Sequence, residues 1–151
     1  METTTLFKHW TEVRQGIYQA LDSLTDTQLD YAPRPGLWSL RETVTHMAGT
    51  EDGWLRYCAF HVIDSWEEAS YPPENYPTVA SLKALLAEVH ERCLAFFAED
   101  ADSVMTREVV LPWGPTVTIE WIVWHVLEHE IHHRGEVYLM LGLNGIEAPD
   151  V

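Results

Sequence analysis

An all-α four-helix bundle is the fold this chain predicts. Four long stretches carry apolar residues at helical spacing, start and stop residues bracket them, and no internal repeat or low-complexity tract interrupts them. The first stretch, from about residue 5 to residue 24, places Leu6, Trp10, Val13, Ile17, Ala20, Leu21 and Leu24 on one face. Two prolines and a glycine within residues 30–36 end it. The second helix opens at Ser39-Leu40-Arg41-Glu42, a capping box in which Ser caps an orphan amide and Glu reaches back to the cap. It is expected to run to about residue 63, with Leu40, Val44, Met47, Trp54, Leu55 and Cys58 as its apolar stripe. Glu51 falls within that stripe, where a carboxylate requires a partner or a solvent cavity.

Residues 65–77 are rich in acid, Tyr and Pro and predict a long surface loop, read as a connection rather than as cover for a site. The third helix spans about residues 78–98, with Val79, Leu82, Leu85, Leu86, Val89, Cys93, Leu94 and Phe97 in register. Within residues 107–117, β-branched residues flank a Pro-Trp-Gly-Pro turn, which predicts a short β-hairpin or an extended loop. The last helix runs from about residue 118 to residue 141, stopped by Gly142. Two long connections argue against a minimal up-and-down bundle with tight turns throughout. Residues 1–151 are expected to form a single domain.

The net charge of −15, from 24 acidic against 9 basic residues, repels phosphate backbones and anionic membrane surfaces. No nucleic acid partner and no membrane partner are expected. The start of the chain lacks a secretory pattern, and no stretch reaches the roughly 20 apolar residues of a membrane helix. Cys58 and Cys93 are distant in sequence and each lies in a helical pattern, so a reduced, cytoplasmic protein without a disulfide framework is expected.

The chemistry is concentrated in His129-Glu130-Ile131-His132-His133-Arg134-Gly135. Residues four apart share a helix face, so His129 and His133 can direct both imidazoles at one ion. His133 falls near the middle of the stripe formed by Ile119, Ile122, Val126, Val137 and Met140, with His129 on its edge. Two inward imidazoles would each require a buried partner without a metal. His125 and His132 sit to the side, and His9, His61 and His90 are read as ordinary satisfied or exposed histidines. The segment also matches H-E-x-x-H, but the longer metalloprotease pattern fails because Gly135 comes one residue early and no histidine follows His133. A di-iron site would need a second Glu-x-x-His, which does not occur.

With Leu37-Trp38-Ser39-Leu40-Arg41-Glu42, Val44-Thr45-His46-Met47, the His129 to Gly135 segment and Leu141-Gly142, the chain resembles the DinB-like superfamily over nearly its whole length. That superfamily comprises metal-binding four-helix bundles and includes the YfiT-like proteins, proposed to be metal-dependent hydrolases, and bacterial thiol transferases. The resemblance implies that His46 joins His129 and His133 around a divalent ion, zinc or nickel foremost. Periodicity does not give His46, which lies off the apolar stripe of its helix on a face with Thr43, Thr50 and Tyr57. Where the family often has Gln after His-Arg-Gly, this chain has Glu136, which is read as a surface residue.

Three imidazoles leave an open position on a zinc-like ion, suited to hydrolysis or to transfer of a low-molecular-weight thiol. A small-molecule substrate follows. Glu51 and Glu130 are the carboxylates considered as general base. A second apolar strip on the last helix, Trp124, Leu127, Ile131 and Tyr138, requires its own partner, either neighbouring helices or another subunit, and with the resemblance a homodimer is expected. The competing reading is a non-catalytic, stress-associated metal-binding homodimer whose histidines stabilise the bundle.

Overall fold

The computed structural model describes residues 3–151. Its helices are α1 (Thr3–Asp22), α2 (Leu40–Asp52), α3 (Val79–Leu94), the short α4 (Ala101–Met105) and α5 (Ile119–Leu143). A two-stranded antiparallel hairpin, β1 (Glu108–Val110) and β2 (Thr116–Thr118), precedes α5 and pairs Val109 with Val117. The four long helices form a four-helix bundle with long connections and a short hairpin before the last helix. Leu6, Trp10, Val13, Ile17, Ala20 and Leu21 of α1 are all buried, as their spacing predicts.

Local chemistry sets the helix starts. Ser39 Oγ accepts from the Glu42 amide at 3.2 Å while Glu42 Oε2 accepts from the Ser39 amide at 2.7 Å, closing the expected capping box. Thr78 and Thr118 cap α3 and α5 in the same way by accepting from Ser81 and Trp121 amides. The end of α5 differs from the sequence reading. Gly142 lies inside the helix, and the stop is a Schellman pattern in which the Gly145 amide bonds Gly142 O and the Ile146 amide bonds Leu141 O, each at 3.0 Å. Gly145 has φ of 71°, the left-handed conformation this motif requires.

Two further elements depart from expectation. The second helix stays α-helical only to Asp52 and then widens into a π-helical stretch, Gly53–Ala59, closed by Phe60 donating to Leu55 O at 2.9 Å. At its first residue, Trp66 packs its indole over Gly53 so closely that a Cβ there would sit 2.7 Å from the ring. Helix α4 was not expected, and it forms because Asp100 Oδ1 accepts from the Ser103 amide at 3.1 Å.

The segment after the π-helical stretch does more than connect. It contains two short 3₁₀ turns, Trp66–Ala69 and Pro73–Asn75. Tyr71 ties it to α2, its hydroxyl donating to buried Asp52 Oδ2 at 2.9 Å and accepting from Arg92 at 2.8 Å. The second apolar strip of α5 finds its partners within the chain. Leu127 is fully buried, and Trp124, Ile131 and Tyr138 pack half-buried against the core, with the Tyr138 hydroxyl beside Gly16 of α1. The strip therefore provides no argument for a second subunit. Both cysteines are free and buried, and burial pushes the Cys58 thiol up to about 11, far from thiolate chemistry at neutral pH. No helix among the described residues is long and apolar enough to cross a membrane.

Candidate metal centre

α2 and α5 bring His46, His129 and His133 to one point. The Nε2 atoms of His46 and His129 are 2.9 Å apart, and those of His129 and His133 are 3.1 Å apart. Two imidazole nitrogens on one tetrahedral zinc ion, each at about 2.0–2.1 Å, would be separated by roughly 3.3 Å, so these two separations stand close to the edge length such an ion requires, and all three ligand atoms lie within 4.8 Å of one another. The donor set fits a divalent ion chemically as well. His133 Nδ1 donates to Glu136 Oε2 at 2.6 Å, so the neutral ring presents a bare Nε2 to the cluster. Burial and the neighbouring histidines push His129 down to about 3, and burial followed by the proximity of His133 lowers His46. Both shifts favour the neutral form, the form that ligates, and His129 keeps it well below the pH at which a free imidazole protonates.

Glu136 is not the surface bystander that the sequence suggests. It takes the second ring proton of His133 and, through Oε1, meets the exposed His132 Nε2 at 3.2 Å. A carboxylate in this position fixes the tautomer and orientation of a ligand ring. Glu136→Gln is expected to weaken divalent-ion affinity about 10–100-fold with the fold intact, measured by competition with a chromophoric chelator. Unchanged affinity would mean that the His133 ring is held by packing alone.

Of the three histidines, His46 lines a cleft of about 330 Å³ together with Thr50 and Trp38 and, from the loop, Trp66, Ser70 and Tyr71. Thr50 Oγ1 stands 3.5 Å from both the His46 and His129 Nε2 atoms. Trp38 lies half exposed with its ring 4.6 Å from that of His46 and 6.2 Å from that of His133, measured between centroids. The loop expected only to connect helices thus forms one wall of the cleft, held down by the Tyr71 to Asp52 bond.

Glu51 and Glu130 are buried in a polar network around Arg14 of α1. Arg14 Nη2 donates to Glu51 Oε2 at 2.6 Å and to Glu130 Oε2 at 2.8 Å, and Arg14 Nε contacts Glu130 Oε1 at 2.7 Å. His90 Nδ1 donates to Glu51 Oε1 and Trp10 Nε1 to Glu130 Oε2, each at 2.7 Å. Both oxygens of Glu51 and Oε2 of Glu130 accept hydrogen bonds, whereas Glu130 Oε1 is held only by its ion-pair contact with Arg14 Nε. The network crosses four helices and grips α2 next to Thr50 and α5 next to His129, so it fixes the two helices that carry the histidines.

Sequence reasoning did not single out Arg14 and read His90 as ordinary, whereas it did place Thr50 on the face of His46. Arg14 had a signal: it sits four residues after Trp10 and three before Ile17, a cation on a buried stripe facing the unpaired acid on the stripe of α2.

A bundle of four long helices carrying three converging imidazoles from its second and last helices defines the class. The DinB family model matches residues 1–151, and the chain belongs to the DinB family. It is 29% identical over 147 residues to YfiT of Bacillus subtilis (strain 168), named there as a proposed metal-dependent hydrolase, with 87% of this chain and 81% of that protein covered. The YfiT structure, described as having an unusual four-helix bundle topology, superposes with a TM-score of 0.68 over 97% of this chain and 91% of that one, at 22% identity. A DinB-like protein from Bacillus cereus ATCC 10987 superposes with a TM-score of 0.80 at 18% identity, covering 99% and 97% of the two chains. A variant of the mycothiol-dependent maleylpyruvate isomerase shares the fold with a TM-score of 0.68 at 12% identity, covering 91% of this chain but 61% of that one. At these identities the superpositions speak to the fold alone.

Proposed function

We propose that His46, His129 and His133 hold one divalent ion, zinc or nickel foremost, and that the protein is an enzyme using it on a small molecule, by hydrolysis or by transfer of a low-molecular-weight thiol. The observation that carries this reading is the convergence of three Nε2 atoms beside a cleft. YfiT, a proposed metal-dependent hydrolase, and the thiol-dependent isomerase supply the two reaction classes as analogy. When bound, such an ion supplies a Lewis acid that lowers the pKa of water or of a thiol.

The residues around it divide the remaining work. Glu136 orients His133 and keeps its Nδ1 protonated. Thr50 Oγ1 is placed to hydrogen-bond a group at the three nitrogens, and Trp38 covers two of the rings and limits water on that side. Glu51 and Glu130 are buried and both paired with Arg14, so this reading assigns them the positioning of α2 and α5 through Arg14 rather than general-base catalysis.

The test is elemental mass spectrometry on dialysed, tag-free protein followed by thiol-transfer and hydrolysis assays with and without chelator. About one divalent ion per chain and chelator-sensitive turnover are expected. A protein that takes up no zinc, nickel, iron or copper would end the metalloenzyme reading. A protein that binds the ion but turns over nothing in either class would favour a structural metal instead.

A further inference from the structure

We infer that Gly49 determines which substrates fit at the histidine cluster, because it lets residues 66–73 lie against α2 as a fixed wall that suits a ring-sized apolar substituent. This rests on the reading of that cluster as the reaction centre and adds the shape of the group carried by the atom that meets the ion.

The cleft meets the cluster at His46 and Thr50, and Gly49 lies between them in the sequence and joins them in the lining. Glycine weakens a helix interior, so Gly49 and Gly53, four residues apart and on one face, call for a reason. At Gly49 a Cβ would stand 2.9 Å from the Ala69 carbonyl oxygen and 3.8 Å from the Tyr71 ring. The first of these contacts is to backbone, which cannot rotate away. At Gly53 the neighbour is the Trp66 indole, whereas Gly135 and Gly142 of α5 meet nothing within 4 Å. The two glycines of the second helix therefore form a seat for the loop, and the one at Gly49 stands one turn from His46.

Further bonds lock the seated segment. Glu68 Oε1 accepts from the Asp64 and Ser65 amides at 2.9 and 3.2 Å, and the Tyr71 hydroxyl bridges Asp52 and Arg92. Ala69, between these anchors, is 1% exposed. The loop brings Trp66, Ala69, Tyr71 and Pro73 to the cleft, and Trp38, whose ring stands beside that of His46, completes a lining dominated by aromatic and aliphatic carbon. Such a surface gains from a buried ring far more than from a hydroxyl. The three histidines come from α2 and α5 and not from this segment, so the wall can shift without removing a ligand.

The experiment loads the protein with cobalt(II) under argon and titrates it with benzyl mercaptan and with 2-mercaptoethanol, thiols of similar acidity of which one carries a ring. Thiolate-to-cobalt absorption in the near ultraviolet reads binding at the ion itself, and metal content is assayed on the same samples. Wild type is expected to bind benzyl mercaptan on the order of tenfold more tightly than 2-mercaptoethanol. In Gly49→Ala the added methyl pushes the Ala69 carbonyl off α2, and most of that preference should vanish while cobalt uptake and 2-mercaptoethanol binding stay as in wild type. Alanine favours helix, so α2 itself persists. Gly142→Ala, where no neighbour stands, should keep the preference. Tyr71→Phe loosens the same wall without adding bulk, leaves Asp52 paired with Arg56 and Arg92, and carries the test alone if Gly49→Ala does not fold. With cobalt bound, no preference in wild type or an unchanged preference in Gly49→Ala overturns the inference and spares the metal centre. Loss of cobalt uptake in a folded Gly49→Ala also overturns it, since Gly49 would then support the ligands rather than the wall. Wild type that takes up no cobalt ends the reading of the cluster, and the inference falls with it.

Discussion

Arg14→Ala is expected to destabilise the protein by about 3–5 kcal/mol, the usual cost of stripping one partner from a buried ion pair. The substitution leaves Glu51 and Glu130, which are 1% and 3% exposed, with only a histidine and an indole nitrogen between them. Two carboxylates in a dry interior cannot both stay ionised at that separation from water. The same residues also predict how the acid limb changes. In wild type, burial alone would raise Glu51, but Arg14 and then His90 outweigh it and the carboxyl is held below its ordinary value. A folded pKa below the unfolded one gives stability that is present above about pH 4.5 and is lost as pH falls through the folded value. Without Arg14 the burial contribution dominates, the folded pKa rises above the unfolded one, and that share of stability should instead grow as pH falls. Urea denaturation from pH 7 to pH 3 reads both effects. A loss under about 1 kcal/mol with an unchanged acid limb would mean that water enters and solvates the carboxylates, and that the network is not dry.

The parts of the fold set by local chemistry were legible in the sequence. The stripe of α1, the Ser39 capping box and the i, i+4 placement of His129 and His133 each depend on spacing within one segment. What escaped depends on contacts between segments. Nothing within residues 53–59 announces the widened turn that starts at Gly53, or the approach of Trp66 from the loop that leaves no room for a side chain there. Glu136 reads as a surface acid on a helical wheel because it is partly exposed, yet its bond to His133 comes from an i, i+3 geometry that the wheel treats only as proximity. Glu51 and Glu130 show the same limit from the other side. The burial of Glu51 was visible as an acid on an apolar stripe, that of Glu130 beside His129 was not, and the partner that explains both, Arg14, is supplied by α1 across the core. His46 falls between these cases. Its own helix gives it no distinction, and only its meeting with α5, at 2.9 Å between ring nitrogens, makes it part of the cluster.

That dependence on a meeting of helices makes His133→Ala the sharpest test of the candidate centre. The side chain is buried and joins the cluster on one ring nitrogen and Glu136 on the other, so its removal takes away a donor and the partner of the orienting carboxylate together. Two imidazoles are a weak site for zinc, and retained metal after dialysis should fall from about one ion per chain to near zero. The fold should persist, because Glu136 is partly exposed and can turn to water, and the Arg14 network does not involve His133. Thermal unfolding separates loss of metal from loss of structure. A ligand that binds the native state alone adds about 2.7 kcal/mol of stability at a hundredfold excess over its dissociation constant, so added zinc or nickel should raise the Tm of wild type by several degrees and leave the variant unmoved. His9→Ala, an exposed position on α1, serves as the control and should behave as wild type. Equal metal retention and equal Tm shifts in His133→Ala and wild type would show that the ion sits elsewhere, and the three nitrogens would then be explained by hydrogen bonds among neutral rings.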